Sequence, residues 1–213
     1  MSGDVIEEGK GYYYRHAGGN PSHAYLLPVL KAVISELGAS ETRAIDVGCG
    51  NGFVSGFMAR LAPDLRVVGV EPSDDGIRIA REYYPAVQFY QRTAYEDLKG
   101  ELGQFDLTLS FEVVEHLYSP KTFADTLFSL TKPGGVCLVS TPYHGYWKNL
   151  ALALAGRLNH DPLYEGGHIK FFSERQLTTL LRRAGFHVRR IYRVGRRIPA
   201  LAKSMVAVAD RPK

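Results

Sequence analysis

Cysteine is scarce: Cys49 and Cys137 are the only two in 213 residues. Two thiols build neither a disulfide framework nor a cysteine metal centre, and they suit a reducing cytoplasm. Long apolar runs are missing as well. No uncharged stretch reaches the roughly 18 to 20 residues that a membrane helix needs, which excludes a transmembrane class. The opening residues Met1-Ser2-Gly3-Asp4-Val5-Ile6-Glu7-Glu8 lack the basic-then-apolar order of a signal peptide. The expectation is therefore a cytoplasmic protein. Internal repeats and low-complexity linkers are absent too. What remains is 45% hydrophobic, 23% charged and 11% aromatic, the balance of a globular chain with one substantial core.

The net charge is +4, and its distribution is uneven. Arg182, Arg183, Arg189, Arg190, Arg193, Arg196 and Arg197 crowd the last third of the chain. Such a run is either a solvated face or a surface for an anionic partner. Short β-branched runs alternate with amphipathic segments, the pattern of an α/β fold with a parallel sheet. Strands are predicted at 43–47, 66–70, 87–90, 105–110 and 136–140. Helical spacing covers 22–37, 53–61, 74–84 and 121–130, and Pro133-Gly134-Gly135 is expected to break the chain before the fifth strand. An apolar helix at 147–158 could form a lid. Ser173 with Gln176 caps a further helix that Gly185 stops, and 186–194 with 204–208 read as an antiparallel pair. The division expected is an N-terminal cap and first helix over 1–40, then a ligand-binding domain over 41–213 with a substrate-side insert at about 142–172.

Asp46-Val47-Gly48-Cys49-Gly50-Asn51-Gly52 leaves the first strand and enters a helix. Glycines there let a ligand approach the backbone. The spacing is Gly-x-Gly-x-Gly rather than the dinucleotide Gly-x-Gly-x-x-Gly, and Asp46 opens it, so a cationic nucleotide-like ligand fits better than a pyrophosphate. Glu71 ends the second strand, where a carboxylate can accept both hydroxyl hydrogens of a ribose. With Lys132-Pro133-Gly134-Gly135 before the fifth strand, these features resemble the class I S-adenosylmethionine-dependent methyltransferases. That resemblance implies a Rossmann-like, seven-stranded, mostly parallel sheet with an antiparallel C-terminal strand and helices on both faces. It also implies S-adenosylmethionine as cofactor. Asp46 and the loop residues Gly48, Cys49, Gly50, Gly52 and Phe53 would face its methionine and ribose end. Glu71 would hold the ribose, Pro72, Ser73 and Ile77 would flank the adenine ring, and Thr93, Ala94 and Tyr95 would lie near it. Phe111 would stand beside the reactive methyl.

Glu112-Val113-Val114-Glu115-His116 follows the fourth strand. Coiled as one helical turn, Glu112, Glu115 and His116 would share a face at i, i+3 and i+4. Two carboxylates and an imidazole can hold a divalent metal such as Mg or Zn. Alternatively, the acids order a helix start and the histidine faces substrate. The cluster, Ser140-Thr141-Pro142 and Gly166-Gly167-His168-Ile169-Lys170-Phe171-Phe172 resemble the O-methyltransferases of ubiquinone biosynthesis. That family implies a small phenolic or quinol-type acceptor, and metal ligation by Glu112, Glu115 and His116. Tyr143 replaces the family's usual Asn, and the lead-in Tyr12-Tyr13-Tyr14-Arg15-His16 differs. A related cluster in small-RNA methyltransferases has a second histidine where Leu117 stands, so no nucleic-acid partner is expected.

Methyl transfer mainly requires alignment of two groups and an exposed lone pair. His116 could act as general base, and His144 and His168 are further catalytic candidates on substrate-side loops. The alternatives to O-methylation are N- or C-methylation of another small metabolite, or a binding protein without catalysis. Ala151-Leu152-Ala153-Leu154 could wall a lipophilic substrate or touch a membrane surface, which extends the cytoplasmic expectation to membrane association.

Overall fold

The computed structural model describes residues 14–38, 42–156 and 168–213. Tyr12 and Tyr13, the end of the expected lid helix, and the loop through Gly166-Gly167 lie outside the described residues. In chain order the elements are α1 (His23–Leu37), β1 (Arg43–Val47), α2 (Phe53–Leu61), β2 (Arg66–Val70), α3 (Asp74–Tyr83) and β3 (Gln88–Tyr90). Next come α4 (Leu98–Leu102), β4 (Phe105–Phe111), α5 (Pro120–Leu130), β5 (Thr131–Pro142) and α6 (Tyr146–Leu154). The chain then runs through α7 (Glu174–Arg183), β6 (His187–Val194) and β7 (Ser204–Asp210). Two 3₁₀ turns, Val114–His116 and Pro199–Leu201, complete the set among the described residues.

The seven strands form one sheet in the order β3-β2-β1-β4-β5-β7-β6. β1 runs parallel to β2 and β4, β2 to β3, and β4 to β5, while β7 is antiparallel to both β5 and β6. The expected architecture, including the antiparallel C-terminal pair, is the one observed. Strands covered on both faces are nearly continuous in apolar residues, and their alternating side chains build two cores. Ala44, Leu107, Leu109 and Val206 pack under α1, α2 and α3 through Leu30, Met58 and Ile77. Ile45, Val47, Phe105 and Met205 pack on the opposite face with Phe123 and Leu127 of α5 and Leu177 of α7. This alternation turns Asp46 toward α2, where it accepts from the Ser55 hydroxyl at 2.7 Å.

Local signals explain most boundaries. Ser73 accepts from Gly76 N–H at the start of α3, and Asp74 and Asp75 occupy its first turn. Ser173 and Gln176 form the expected capping box on α7, and Arg182 and Arg183 close that helix. Three elements differ from the sequence reading. α6 spans Tyr146–Leu154 rather than 147–158, because Ala155 and Gly156, the latter at φ of 65°, turn the chain out of the helix. The short helix α4 has no counterpart in the sequence reading; its cap is the Asp97 carboxylate, which accepts from Gly100 N–H. β5 begins at Thr131, before the Pro-Gly-Gly break, because Thr131 pairs with Phe105 and the register then shifts until Val136 meets Leu107. Lys132 reaches Asp106 at 2.8 Å across that bulge. A Cβ on Gly135 would meet the Lys132 and Asp106 carbonyl oxygens at 2.9 and 3.0 Å, so the bulge needs glycine.

Phe123 is fully buried between α5 and the sheet. Phe123→Ala is expected to lower unfolding stability by about 3 to 5 kcal/mol, read as a lower urea midpoint with an unchanged slope.

Candidate active site

Parallel strands bring their C-terminal ends to one edge, and the glycine loop, Glu71 and the Glu112–His116 segment follow those ends. The glycine loop turns from β1 into α2 with Gly48, Gly50 and Gly52 at φ of 78°, 56° and 79°. These left-handed conformations suit glycine. The Gly48 and Cys49 N–H groups donate to Val70 O at 2.8 and 3.0 Å, which ties the loop to the end of β2. Glu71 completes the tie: Gly50 N–H donates to its Oε2 at 3.0 Å and Ser73 N–H to its Oε1 at 3.1 Å. The expected ribose-facing carboxylate is thus first a staple between two loops. Each of its oxygens keeps a further acceptor position.

A Cβ on Gly50 would lie 2.7 Å from the Tyr14 hydroxyl, so the N-terminal segment closes directly over the loop. Asn51 holds that segment by donating to His16 O at 2.7 Å and Gly18 O at 3.0 Å. Tyr84 donates to Ala17 O at 2.5 Å, and the His23 and Phe53 rings stack at 4.9 Å. Asn51 and Tyr84 were not singled out in the sequence; the only signal was Asn51's place inside the glycine motif. Gly76 was also passed over. A Cβ there would meet Gly50 O at 2.9 Å, so glycine lets α3 close on the loop.

Pro72 and Ser73 follow Glu71 at this edge, and Thr93, Ala94 and Tyr95 follow β3, all partly or fully covered. The Tyr95 hydroxyl accepts from Ser119 N–H at 3.2 Å, joining the β3 and β4 loops. Ile77 belongs to the core beneath α3, and Phe111 is buried at the end of β4. Burial pushes the Asp46 carboxyl up to about 7; the Ser55 hydrogen bond opposes the rise and the Glu71 charge adds to it. Burial raises Glu71 too, against its backbone and Ser73 hydrogen bonds. The Cys49 thiol is driven up by burial and by these two acids. It is a packing residue held in its neutral form.

The Glu-x-x-Glu-His segment does not coil as a single α-helical turn. Glu112 has φ of 55°, the one positive value at a non-glycine residue among the described residues, and the 3₁₀ turn begins only at Val114. Its carboxylate swings across the sheet edge, accepting from the Ser140 hydroxyl at 2.7 Å and the Ser204 hydroxyl at 3.2 Å. Burial raises its pKa, and those hydroxyls and the Lys148 charge oppose the rise. Glu115 instead meets His116 and His168: one ligand atom from each lies within 4.8 Å of the others. The two imidazole rings stand edge to face at 4.9 Å. His168 is held there because the next two N–H groups, of Ile169 and Lys170, both donate to Glu115 O at 3.0 Å.

The expected trio of Glu112, Glu115 and His116 is therefore replaced in space by Glu115, His116 and His168. Glu115 is 1% exposed, and neither carboxylate oxygen has a hydrogen-bond partner. Burial and the neighbouring Glu112 charge drive its pKa well up, against its own backbone N–H and a loose Thr141 hydroxyl contact. An orphaned buried carboxylate is costly, and with two imidazoles it forms a donor set that suits a divalent cation. His144 occupies a separate contact. Its Nδ1 lies 3.3 Å from Asn149 Oδ1, and its ring packs edge to face on Phe171 at 4.8 Å.

Asp46 carries a pH prediction. Its folded pKa lies above the ordinary carboxylate value, so the folded state holds the proton more tightly and loses stability as pH rises toward 7. Asp46→Asn should therefore gain stability relative to the native chain between about pH 4 and pH 7, measured by urea melts across that window.

The methyltransferase domain model matches residues 22–191. The ubiquinone biosynthesis O-methyltransferase of Cereibacter sphaeroides is 35% identical over 149 residues, covering 67% of this chain and 59% of its own length. Its namesake from Roseobacter denitrificans is 36% identical with the same coverage. The chain thus spans about three fifths of these relatives, 59% in each case. Among solved structures, magnesium protoporphyrin IX methyltransferase from Synechocystis PCC 6803 with bound SAH superposes with a TM-score of 0.66 at 18% identity, covering 87% of this chain and 81% of that one. A SAM-dependent methyltransferase from Aquifex aeolicus gives 0.63 at 17% identity, covering 90% and 94%. These likenesses establish the fold, and the match across most of the sequence establishes the family: the chain belongs to the methyltransferase domain family.

Proposed function

We propose that the chain transfers a methyl group from S-adenosylmethionine to an oxygen of a small phenolic or quinol-type acceptor, assisted by a divalent cation. The observation that carries this reading is the buried Glu115 carboxylate, without a close hydrogen bond to either oxygen, facing His116 at 3.9 Å and His168 at the edge that also bears the glycine loop. The curated relatives' shared name supports the acceptor class. Two buried acids whose pKa values are raised, Asp46 and Glu71, support a ligand that brings positive charge, as a sulfonium with an α-ammonium does.

The chain's own residues do three things in this scheme. Asp46, Glu71 and the glycine-loop backbone hold and orient the donor, and the segment from Tyr14 to Gly19 covers it against water. Glu112, fixed by Ser140 and Ser204, presents a buried polar wall beside the acceptor side. Glu115, His116 and His168 form the cation's donor set. A divalent cation held there would lower the pKa of a phenolic hydroxyl from about 10 toward neutrality, exposing the lone pair. The methyl then passes from sulfur to oxygen, the sulfonium becomes a neutral thioether, and the acceptor's proton leaves to solvent.

Titration calorimetry with S-adenosylhomocysteine, with EDTA and then with Mg or Zn, followed by turnover with a catechol acceptor, tests this. Cofactor binding without metal and turnover only with metal are expected. Glu115→Gln and His168→Ala should each lower metal affinity by more than the about 10- to 100-fold that loss of an outer-shell partner costs, while cofactor affinity holds. Metal-independent turnover would remove the cation from the scheme, and absence of cofactor binding would remove the scheme itself.

A further inference from the structure

Helices α5 and α7 pack side by side, and together with the stretch 169–172 they line a groove of about 760 Å³. Its apolar lining includes Ile169, Phe171 and Leu180, the first two 45% and 42% exposed. Single apolar side chains scattered over a surface are ordinary, whereas large ones gathered in one concavity mark a contact surface.

The groove also carries charge of one sign. Lys170, Arg175 and Arg183 line it, and none of the three makes an ion pair among the described residues. Arg175 and Arg183 are exposed and lie on one ridge of α7 with Thr179 between them, about 12 Å apart along the helix axis. The neighbouring acids are engaged elsewhere: Asp125 binds Lys121 at 2.6 Å, and Glu174 binds Arg193 at 2.6 Å. An apolar surface thus meets a set of cations that the surrounding acids leave uncompensated.

We propose that this groove docks an acidic amphipathic helix of a partner protein. The apolar face of such a helix would cover Ile169, Phe171 and Leu180, and carboxylates about two turns apart would meet Arg175 and Arg183. A second copy stacked on the groove about a two-fold axis would instead set the three cations against their own kind. The contact stands independently of the methyl-transfer reading. It borders the candidate cation site, because Ile169 and Lys170 are the residues whose N–H groups hold Glu115 O and so place His168.

A random-peptide display library selected on the native chain, with counter-selection on R175Q/R183Q, tests this. Both arginines are exposed and make no ion pair among the described residues, so the variant should keep the native circular dichroism and urea midpoint. Enriched peptides should carry Asp or Glu beside Leu or Phe at helical spacing. The most enriched one, labelled with fluorescein, should bind the native chain saturably by anisotropy and slow hydrogen exchange across 169–184. R175Q/R183Q and Ile169→Ser should each bind it about tenfold more weakly. A scrambled peptide of the same composition should bind far less. Failure to enrich acidic amphipathic peptides overturns the proposal, as does equal binding of the scrambled peptide or equal affinity for native chain and R175Q/R183Q. A single-stranded oligonucleotide that displaces the peptide and itself binds more tightly would assign the groove to nucleic acid, and a native dimer that R175Q/R183Q dissolves would assign it to a second copy; either result also overturns it.

Discussion

The Glu71 carboxylate is the constraint on which the site depends. One oxygen accepts from Gly50 and the other from Ser73, so a single buried acid sets the separation between the glycine loop and the loop that opens α3. The loop's left-handed glycines define its path, and Gly76 lets α3 approach within contact of Gly50 O. Burial makes this arrangement costly for an anion, and hydrogen bonds to the charged form offset part of that cost. A cationic ligand at the same edge would offset more. The acids that open the site and the charge of the proposed donor are two sides of one electrostatic balance.

A second buried charge problem lies across the same edge. Glu112 and Glu115 are near neighbours, and the backbone separates their tasks by placing Glu112 at φ of 55°. Such a conformation at a non-glycine residue costs on the order of 1 to 3 kcal/mol and persists where surrounding contacts over-determine it. Here the contacts are Ser140 and Ser204, from β5 and β7, which satisfy Glu112 and leave Glu115 to the two histidines. The antiparallel end of the sheet therefore also fixes the Glu112 side chain.

The parts of this structure legible in sequence were those written locally. Strand runs, the Ser173 cap, the glycine motif and Glu71 all carry signals within a few residues of their place. What escaped depends on partners distant in sequence. Nothing near Glu112 marks a positive φ, because the serines that hold it come from other strands. His168 reaches His116 with the help of the Ile169 and Lys170 hydrogen bonds to Glu115 O, some fifty residues away in sequence. The Tyr14 closure needs Asn51 and Tyr84 as remote clamps. The bulge in β5 follows from Lys132 reaching Asp106, which a Pro-Gly-Gly triplet read in isolation suggests only as a break.

The most direct test of this account is the affinity of S-adenosylhomocysteine for the native chain and for Glu71→Gln, measured by calorimetry in EDTA. The amide keeps the side chain's shape but offers one acceptor oxygen where two N–H donors must be met. The unsatisfied buried donor costs about 1 to 3 kcal/mol of folding stability, and the lost tie lets the two cofactor-facing loops separate, so the variant should melt at lower urea and bind the cofactor about tenfold or more weakly. Equal affinity in the two proteins would contradict the claim that the Glu71 staple organises the site.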